Sequence, residues 1–185
     1  MKKYLIEYKS FLVFIAKFFF VYLLLAFIYK WYLSQFDASK FEVDGFTTLV
    51  AHQTSWVLSI FNSESFTQIN LAEASVKLFY SNMWVARIIE GCNALSIIIL
   101  FISFVIAFSG KLKQTFFYCV TGVFIIHFFN ILRIVLLSMA IFHYPNYKEL
   151  LHGVIFPLFI YGIVFLLWII WVNKYSYYAK KNIKS

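Results

Sequence analysis

The sequence predicts an all-α integral membrane protein: a bundle of four transmembrane helices with a small extracytoplasmic region that holds a helix and a β-hairpin. Three observations indicate this class. Apolar residues make up 63% of the 185-residue chain, whereas roughly half is typical of soluble domains. Four apolar runs approach or exceed the length that crosses the ~30 Å hydrocarbon layer of a bilayer. The two prolines and six glycines leave room for long, continuous helices.

The first predicted span covers residues 11–29. Its run is long and aromatic, and no small-residue cleavage site follows it, so a retained signal anchor is favoured over a cleaved signal peptide. Lys17 falls within the run but near its start. From there its side chain can snorkel to the same side as Lys9.

Residues 30–91 are the polar part of the chain and predict the extracytoplasmic region. Within it, residues 48–61 are too short and too polar for a firm span, so an amphipathic helix on the membrane surface or against the bundle is expected. A fifth span or a re-entrant segment at 48–61 stays open. Residues 76–89 contain two strand-like runs around Ser81 and Asn82, which is the pattern of a β-hairpin.

The other three spans are predicted at 93–109, 116–143 and 151–172. Pro145 and Asn146 end the third span, and a short loop is expected before the fourth. Pro157 falls in the first turns of the fourth span, where it is tolerated or causes a mild kink. No repeat or compositional shift divides the chain, so residues 1–185 predict a single membrane domain.

The distribution of charge predicts that both termini are cytoplasmic, because cytoplasmic segments carry an excess of Lys and Arg. In that orientation the inside segments carry ten lysines against Glu7, and the outside segments carry five cations against seven acids. The ten lysines are Lys2, Lys3, Lys9, Lys17, Lys111, Lys113, Lys174, Lys180, Lys181 and Lys184. The excess of lysine in the cytoplasmic segments accounts for the net charge of +8. The expected partner is therefore the lipid bilayer, and no nucleic acid is expected.

Cys92 lies where the polar region meets the second apolar span. Gly91 is expected to allow a tight turn before it. Cys92 and Asn93 are then expected at the start of a helix, where unpaired N–H groups and the helix dipole favour a thiolate. A structural role is the common alternative for such a cysteine. Cys119 lies among aromatic and apolar residues and is expected to fill space.

Three chemically reactive side chains converge on one predicted level of the membrane. Arg133 lies 18 residues after Thr115, or about 27 Å along a helix, which places it near the outer face. Cys92 and His152 begin spans at that same face. A nucleophile, a fixed cation and a titratable base are the parts of a thiol acyl-transfer site.

Each residue can be given a role in that chemistry. Cys92 would attack a carbonyl carbon, His152 would move the proton, and Arg133 would stabilise the oxyanion. Asn130 lies one helical turn before Arg133 and could hold the guanidinium or the substrate backbone. His127 lies deeper and could be a supporting or a core residue.

Structural alternatives exist for the same residues. Arg133 could neutralise Glu90 or Glu149, and His152 could be an interfacial anchor. The metal-binding patterns His-x-x-x-His, His-Glu-x-x-His and Cys-x-x-Cys do not occur in the sequence, and neither does a serine nucleophile elbow or a Gly-rich phosphate loop. No metal and no cofactor are therefore expected.

The ordered set Gly91-Cys92-Asn93-Ala94-Leu95, then Asn130 to Arg133, then His152 resembles the exosortase/archaeosortase family of membrane transpeptidases, in particular its short, exosortase F-like variants from Bacteroidetes. The resemblance covers about residues 85–165. Larger relatives have about eight spans, and many have glycine where this chain has Ala94. The missing helices imply that an accessory membrane protein or a second copy completes the substrate groove.

The resemblance implies a cysteine protease of the bacterial inner (cytoplasmic) membrane with its active site on the extracytoplasmic face. Such enzymes cut the C-terminal sorting signal, which includes a transmembrane helix, from exported proteins. They form a thioacyl-enzyme and transfer the protein to a cell-envelope acceptor. By position, Cys92 would be the nucleophile, Arg133 the stabiliser and His152 the acid/base, with Asn130 and Asn93 in support.

Two other function classes remain. The chain could be a non-catalytic scaffold or assembly factor in which Arg133 is a structural ion-pair residue. It could also be part of a small transporter, which the intramembrane residues Arg133, Asn130 and His127 motivate. Those polar residues cluster in the outer half of one helix and trace no path across the bilayer, which disfavours the transporter.

Overall fold

The structure is a computed structural model that describes residues 8–61 and 64–176. Those residues form five helices of more than ten residues and a three-stranded sheet. In chain order these elements are α1 (Lys9–Leu33), α2 (Gly45–Phe61), β1 (Phe66–Ile69), β2 (Val76–Tyr80), β3 (Met83–Ile88), α3 (Leu95–Ala107), α4 (Leu112–His143) and α5 (Pro145–Tyr175). The terminal lysines Lys2, Lys3, Lys180, Lys181 and Lys184, which contribute to the predicted orientation, lie outside the described residues.

Three helices are long and apolar enough to cross a membrane: α1, α4 and α5. They contain 25, 32 and 31 residues, with mean hydropathies of 2.7, 2.1 and 2.6 over their most apolar stretches. At ~1.5 Å per residue each exceeds the ~30 Å hydrocarbon layer. The side chains of α1 are not buried, and many are large and apolar, which suits a lipid environment. These findings confirm the mostly helical class and show helices of spanning length and apolar character at three of the four predicted positions.

The predicted span at 93–109 is wrong in its extent. The helix α3 has 13 residues, or about 20 Å, which is shorter than the hydrocarbon layer. Two non-glycine residues in left-handed conformation bound it, Ala94 with φ of 63° and Ser109 with φ of 44°. A left-handed residue breaks the helical path. In place of the four predicted spans, the described residues therefore contain three helices of spanning length and one short apolar helix.

The loop predicted after Pro145 and Asn146 is also wrong. The helix α4 ends at His143 as expected, but α5 begins directly at Pro145 with a 3₁₀ turn over Pro145–Tyr147. Proline suits the first position of a helix because its missing N–H would have no partner there. Lys148 and Glu149 are therefore helical, one turn before His152.

A π-helical turn over Leu151–Ile155 interrupts α5. The N–H of Phe156 donates to the carbonyl of Leu151, five residues back. Pro157 cannot donate a hydrogen bond, and its ring crowds the carbonyl four residues before it. The wider π turn accommodates this proline, and the α-helix continues from Phe156 to Ile170. His152 lies within this turn, so its position follows from the proline.

The described chain packs as two compact units, and the predicted single domain of 185 residues stays a prediction. One unit contains residues 8–31, 96–124 and 164–176, and aromatic rings hold it together. The ring of Phe104 stacks on Trp168 with centroids 4.3 Å apart. Gly122 lets helices approach closely, because a Cβ there would lie 2.2 Å from Cζ of Phe101.

The other unit contains residues 32–95 and 125–163, with α2 packed on the sheet. The expected helix at 48–61 is confirmed as α2, which begins at Gly45 because Asp44 Oδ1 accepts the N–H groups of Phe46 and Thr47 at 3.1 and 2.9 Å. With 17 residues it is not among the helices long enough to span a membrane. Its apolar face joins a core that the sheet and α4 share: Val50, Ala51, Leu58, Val76, Leu78, Tyr80, Val85, Ile88, Ile131, Ile134 and Val135.

The predicted hairpin is confirmed, and the sheet has one more strand. Ser81 and Asn82 both have positive φ, 53° and 59°, as a two-residue turn between antiparallel strands requires. The strand order is β1-β2-β3, with all neighbours antiparallel. Strand β1 was not expected, because its four residues are mostly exposed and show no apolar alternation.

Candidate active site

Cys92 lies in a short 3₁₀ turn between β3 and α3, over Glu90–Cys92. The N–H of Cys92 donates to the carbonyl of Ile89 at 2.8 Å, and the N–H of Asn93 to that of Glu90 at 3.2 Å. The helix α3 begins at Leu95, three residues after the cysteine. The expectation that Cys92 and Asn93 begin the helix is therefore wrong, and the helix-dipole argument loses its geometric basis, since that field falls off within one turn.

The tight turn does not depend on Gly91. Among the described residues no glycine has positive φ, and a Cβ at Gly91 would meet no atom within 4 Å. The left-handed residue of this segment is Ala94, which is also buried. The backbone conformation at Ala94 is therefore one that favours glycine.

Asn130 holds the backbone of Cys92. Its Nδ2 donates to the carbonyl of Cys92 at 2.8 Å, and the whole side chain is buried. Its Oδ1 is buried without a hydrogen-bond partner in the described chain. The observed contact is thus to the chain's own backbone, and a contact of Asn130 to Arg133 or to substrate stays a prediction. A buried side chain with one satisfied end fixes the cysteine relative to α4.

The side chain of Asn93 makes hydrogen bonds that hold this turn in place. Its Nδ2 donates to Thr47 Oγ1 at 3.0 Å, and its Oδ1 accepts the N–H of Leu95 at 2.9 Å. The first bond ties the turn to α2, and the second caps the start of α3. Asn93 therefore supports Cys92 from the side of α2, as Asn130 does from α4.

Arg133 is buried, with 8% of its surface exposed, and its Nε has no hydrogen-bond partner among the described residues. The ion pairs of that part of the chain are Lys40–Asp37 and Arg87–Glu73, so neither Glu90 nor Glu149 neutralises Arg133. Cys92 and Tyr161 are the ionisable side chains near its guanidinium. A buried cation without a carboxylate is costly, which is typical of a residue that faces a ligand.

A cavity of about 460 Å³ brings the three main candidates together. Cys92 reaches it from the 3₁₀ turn, Arg133 from α4 and His152 from the π turn of α5. Strand β3, the apolar side of α4 and the start of α5 supply the other walls: Trp84, Val85, Ala86, Arg87, Ile88, Ile89, Ile134, Leu137, Ile141 and Lys148. Cys92 and His152, which are 60 positions apart in the chain, thus line one space.

A thiol, a guanidinium and an imidazole line this cavity, but the thiol and the imidazole are not in hydrogen-bond contact. The thiol of Cys92 makes no hydrogen bond to the exposed His152 within the described chain. Nucleophile and base are often farther apart in a ligand-free site than in the reacting complex. An exposed imidazole is free to approach a substrate that fills the cavity.

Several residues near this site were not expected from the sequence. Tyr161 lies near Arg133 but belongs to no motif that would have drawn attention to it. Lys148 lines the cavity, and its spacing of four residues before His152 is a signal that could have found it. Thr47 and the residues of β3 depend on the tertiary fold, so no local pattern predicts them.

The other histidines have structural contacts. His127 Nε2 lies 2.8 Å from Gln53 Oε1 and thus links α4 to α2 away from the cavity. His52 Nδ1 lies 3.3 Å from Thr67 Oγ1, and His143 Nδ1 lies 2.8 Å from the carbonyl of Met139. Within residues 8–61 and 64–176, His, Cys, Asp and Glu form no group of three that could hold a metal ion.

The chain matches no protein-family model, and no curated protein or solved structure is significantly similar to it.

Proposed function

We propose that the chain is a membrane-embedded cysteine transpeptidase or peptidase that acts on the C-terminal region of exported proteins. The observation that carries the proposal is the cavity lined jointly by Cys92, Arg133 and His152. The ordered motif around the same residues, which resembles the exosortase/archaeosortase family, supplies the reaction class.

In the proposed reaction, His152 takes the proton of the Cys92 thiol, and the resulting thiolate sulfur attacks the carbonyl carbon of the scissile peptide bond. Arg133 stabilises the negative charge on the carbonyl oxygen, which suits a buried cation with an unpartnered Nε. The carbon–nitrogen bond then breaks, and His152 gives its proton to the leaving amine. An amine of the acceptor or water attacks the thioester and releases the free cysteine.

The proposal includes a location. The site would lie on the extracytoplasmic face of the bacterial inner membrane, with both termini in the cytoplasm, as the distribution of lysines favours. The substrate would be the C-terminal sorting-signal segment of an exported protein. Because the described residues contain three helices of spanning length, whereas the larger members of the family that the motif resembles have about eight spans, an accessory membrane protein or a second copy would complete the groove.

The main competing function is a scaffold in which Arg133 forms a structural ion pair. Within the described residues Arg133 has no carboxylate partner, so this alternative loses the contact on which it depends. The transporter alternative has no specific support either, because His127 bonds to Gln53 and Asn130 to the backbone of Cys92.

The experiment is a comparison of Cys92→Ala with the matched control Cys119→Ser in the source bacterium. Mass spectrometry of envelope proteins would report whether their C-terminal peptides remain attached. We expect uncleaved C-termini with Cys92→Ala and normal processing with Cys119→Ser, at equal amounts of inserted protein. Unchanged processing with Cys92→Ala would refute the proposal. Labelling of Cys92 by a membrane-impermeant maleimide in intact cells tests the location separately.

A further inference from the structure

Strand β3 is an edge strand whose second edge has no strand beside it in the described chain. The order β1-β2-β3 pairs β3 with β2 alone. Among the described residues, no backbone hydrogen bond outside the sheet reaches residues 84–88. One main-chain group of this stretch bonds to a side chain: the carbonyl of Ala86 accepts the indole N–H of Trp84 at 2.8 Å.

The cavity runs along that free edge. Six consecutive residues, 84–89, line it. Successive side chains of a strand point to opposite faces of the sheet, so a cavity over one face would meet only every second residue. This cavity is lined by the buried Val85 and Ile88 and also by the exposed Trp84 and Arg87, so it borders both faces of the strand along this edge.

The free edge leads directly to the candidate nucleophile. The carbonyl of Ile89, the last of these six residues, accepts the N–H of Cys92 at 2.8 Å. Six residues of strand extend over about 20 Å, which accommodates five or six residues of an added extended peptide. Natural proteins usually pair or protect such edges, because free main-chain groups recruit other strands. Here the free edge ends beside a thiol and a buried arginine.

We infer that this edge of β3 binds the substrate as an added strand, which is a site distinct from the reactive side chains themselves. The occupant is the extended peptide segment that precedes the cleaved bond. This inference rests on the proposed function, since the position of Cys92 sets the direction of the peptide. The carboxyl end of the bound segment must reach Cys92, which follows the carboxyl end of β3, so the peptide lies parallel to β3.

Strand addition explains how one site can accept different exported proteins. Main-chain hydrogen bonds align the peptide whatever its side chains are, and alternate side chains then meet the two faces of the edge. Trp84 and Ile89 expose apolar surface there, and Lys148 adds positive charge, whereas Arg87 is paired with Glu73. Residues at alternate substrate positions therefore meet different surroundings.

The test uses the full chain in detergent with Cys119→Ser, so that Cys92 is the remaining thiol. The probe is an acetylated hexapeptide of alternating threonine and valine that ends in a chloromethyl ketone. The sulfur of Cys92 displaces chloride from this group and forms a thioether, so the alkylation rate reports binding. A series of peptides carries a single N-methyl group at successive amides, which removes one N–H at a time. Chloroacetone is the small reagent for comparison.

We expect the parent peptide to react faster than chloroacetone. N-methylation should slow the reaction about 3- to 10-fold at every second position, where an N–H faces β3, and should leave the intervening positions unchanged. Equal effects at all positions, or none, would overturn strand addition while leaving the cysteine chemistry in place. A parent peptide no faster than chloroacetone would also overturn it, and processing in the Cys92→Ala strain would then decide separately whether the proposed function stands.

Discussion

The hydrogen bond from Asn130 to the carbonyl of Cys92 offers a sharp test of how the site is built. We predict that Asn130→Leu, which keeps the approximate size of the side chain, lowers processing about 10-fold or more while changing stability little. The bond is 2.8 Å long, and Asn130 is fully buried. Leucine removes the donor, so Cys92 loses the contact that fixes its backbone relative to Arg133, three residues further along α4.

The small change in stability follows from two opposing terms. Loss of the donor leaves the Cys92 carbonyl without this bond, at about 1–3 kcal/mol if that carbonyl stays buried. The same substitution removes Asn130 Oδ1, which is buried without a partner and carries a penalty of about the same size. The two terms nearly cancel, so the free energy of unfolding should change by less than about 1.5 kcal/mol.

The assay measures three quantities for each variant: the denaturation temperature in detergent, the alkylation rate of Cys92, and processing in cells. Ser138→Ala is the matched control, because Ser138 is a buried polar residue of the same helix whose hydroxyl bonds to Ile134 and not to Cys92. We expect that control to process normally. If Asn130→Leu processed its substrate at the normal rate, the idea that this bond positions the nucleophile would be wrong.

Three further predictions concern separate features of the chain. Arg133→Met should lower processing by about 10²-fold or more, since it removes the proposed oxyanion stabiliser. The amount of folded protein should be kept or raised, because the substitution removes a buried unpaired charge. A fall in abundance with normal processing per molecule would instead support the scaffold. The free energy of unfolding of Ala94→Gly should stay within about 1 kcal/mol of the parent value, because relief of the left-handed strain is offset by loss of a buried methyl group and by a more flexible unfolded chain. Ala94→Val should lower it by more than about 2 kcal/mol. Thermal denaturation of both variants checks this, and a valine variant as stable as the parent would contradict it. The hydrogen bond from Arg87 holds the pKa of Glu73 below its ordinary value of 4.5. The contribution of this ion pair to stability is therefore present above pH 4.5 and is lost as pH falls through the lowered pKa. Glu73→Gln should flatten the acid side of a plot of stability against pH, and an unchanged acid side would show that the ion pair is not its source.

Local patterns in the sequence predicted most of the helices and the hairpin. The apolar runs of α1, α4 and α5 are long enough to be recognised without neighbours, because hydropathy is a property of each segment. The turn at Ser81 and Asn82 was recognisable for the same reason, since two polar residues between strand-like runs favour a tight turn. The break at Pro145 was also local, although proline then began the next helix instead of a loop.

The boundaries of α3 and the strand β1 could not be predicted in this way. The left-handed conformation of Ala94 has no signature in its residue type, because alanine ordinarily favours a helix. Packing around the buried Ala94 and the contacts of Asn93 to Thr47 impose it. Strand β1 has mostly exposed side chains, and its pairing with β2 is what makes it a strand.

The sequence by itself determined the length and apolar character of the long helices and the kinds of reactive side chain available. Both are local, since hydropathy, prolines and individual motifs act within a turn or a span. Only the tertiary structure decided which of these side chains share a space. Cys92, Arg133 and His152 line one cavity because a 3₁₀ turn, the packing of α4 and a π turn before Pro157 bring separate segments together. The tertiary structure also placed the open edge of β3 along the same cavity. Strand order is set by pairing between distant residues and not by any one segment.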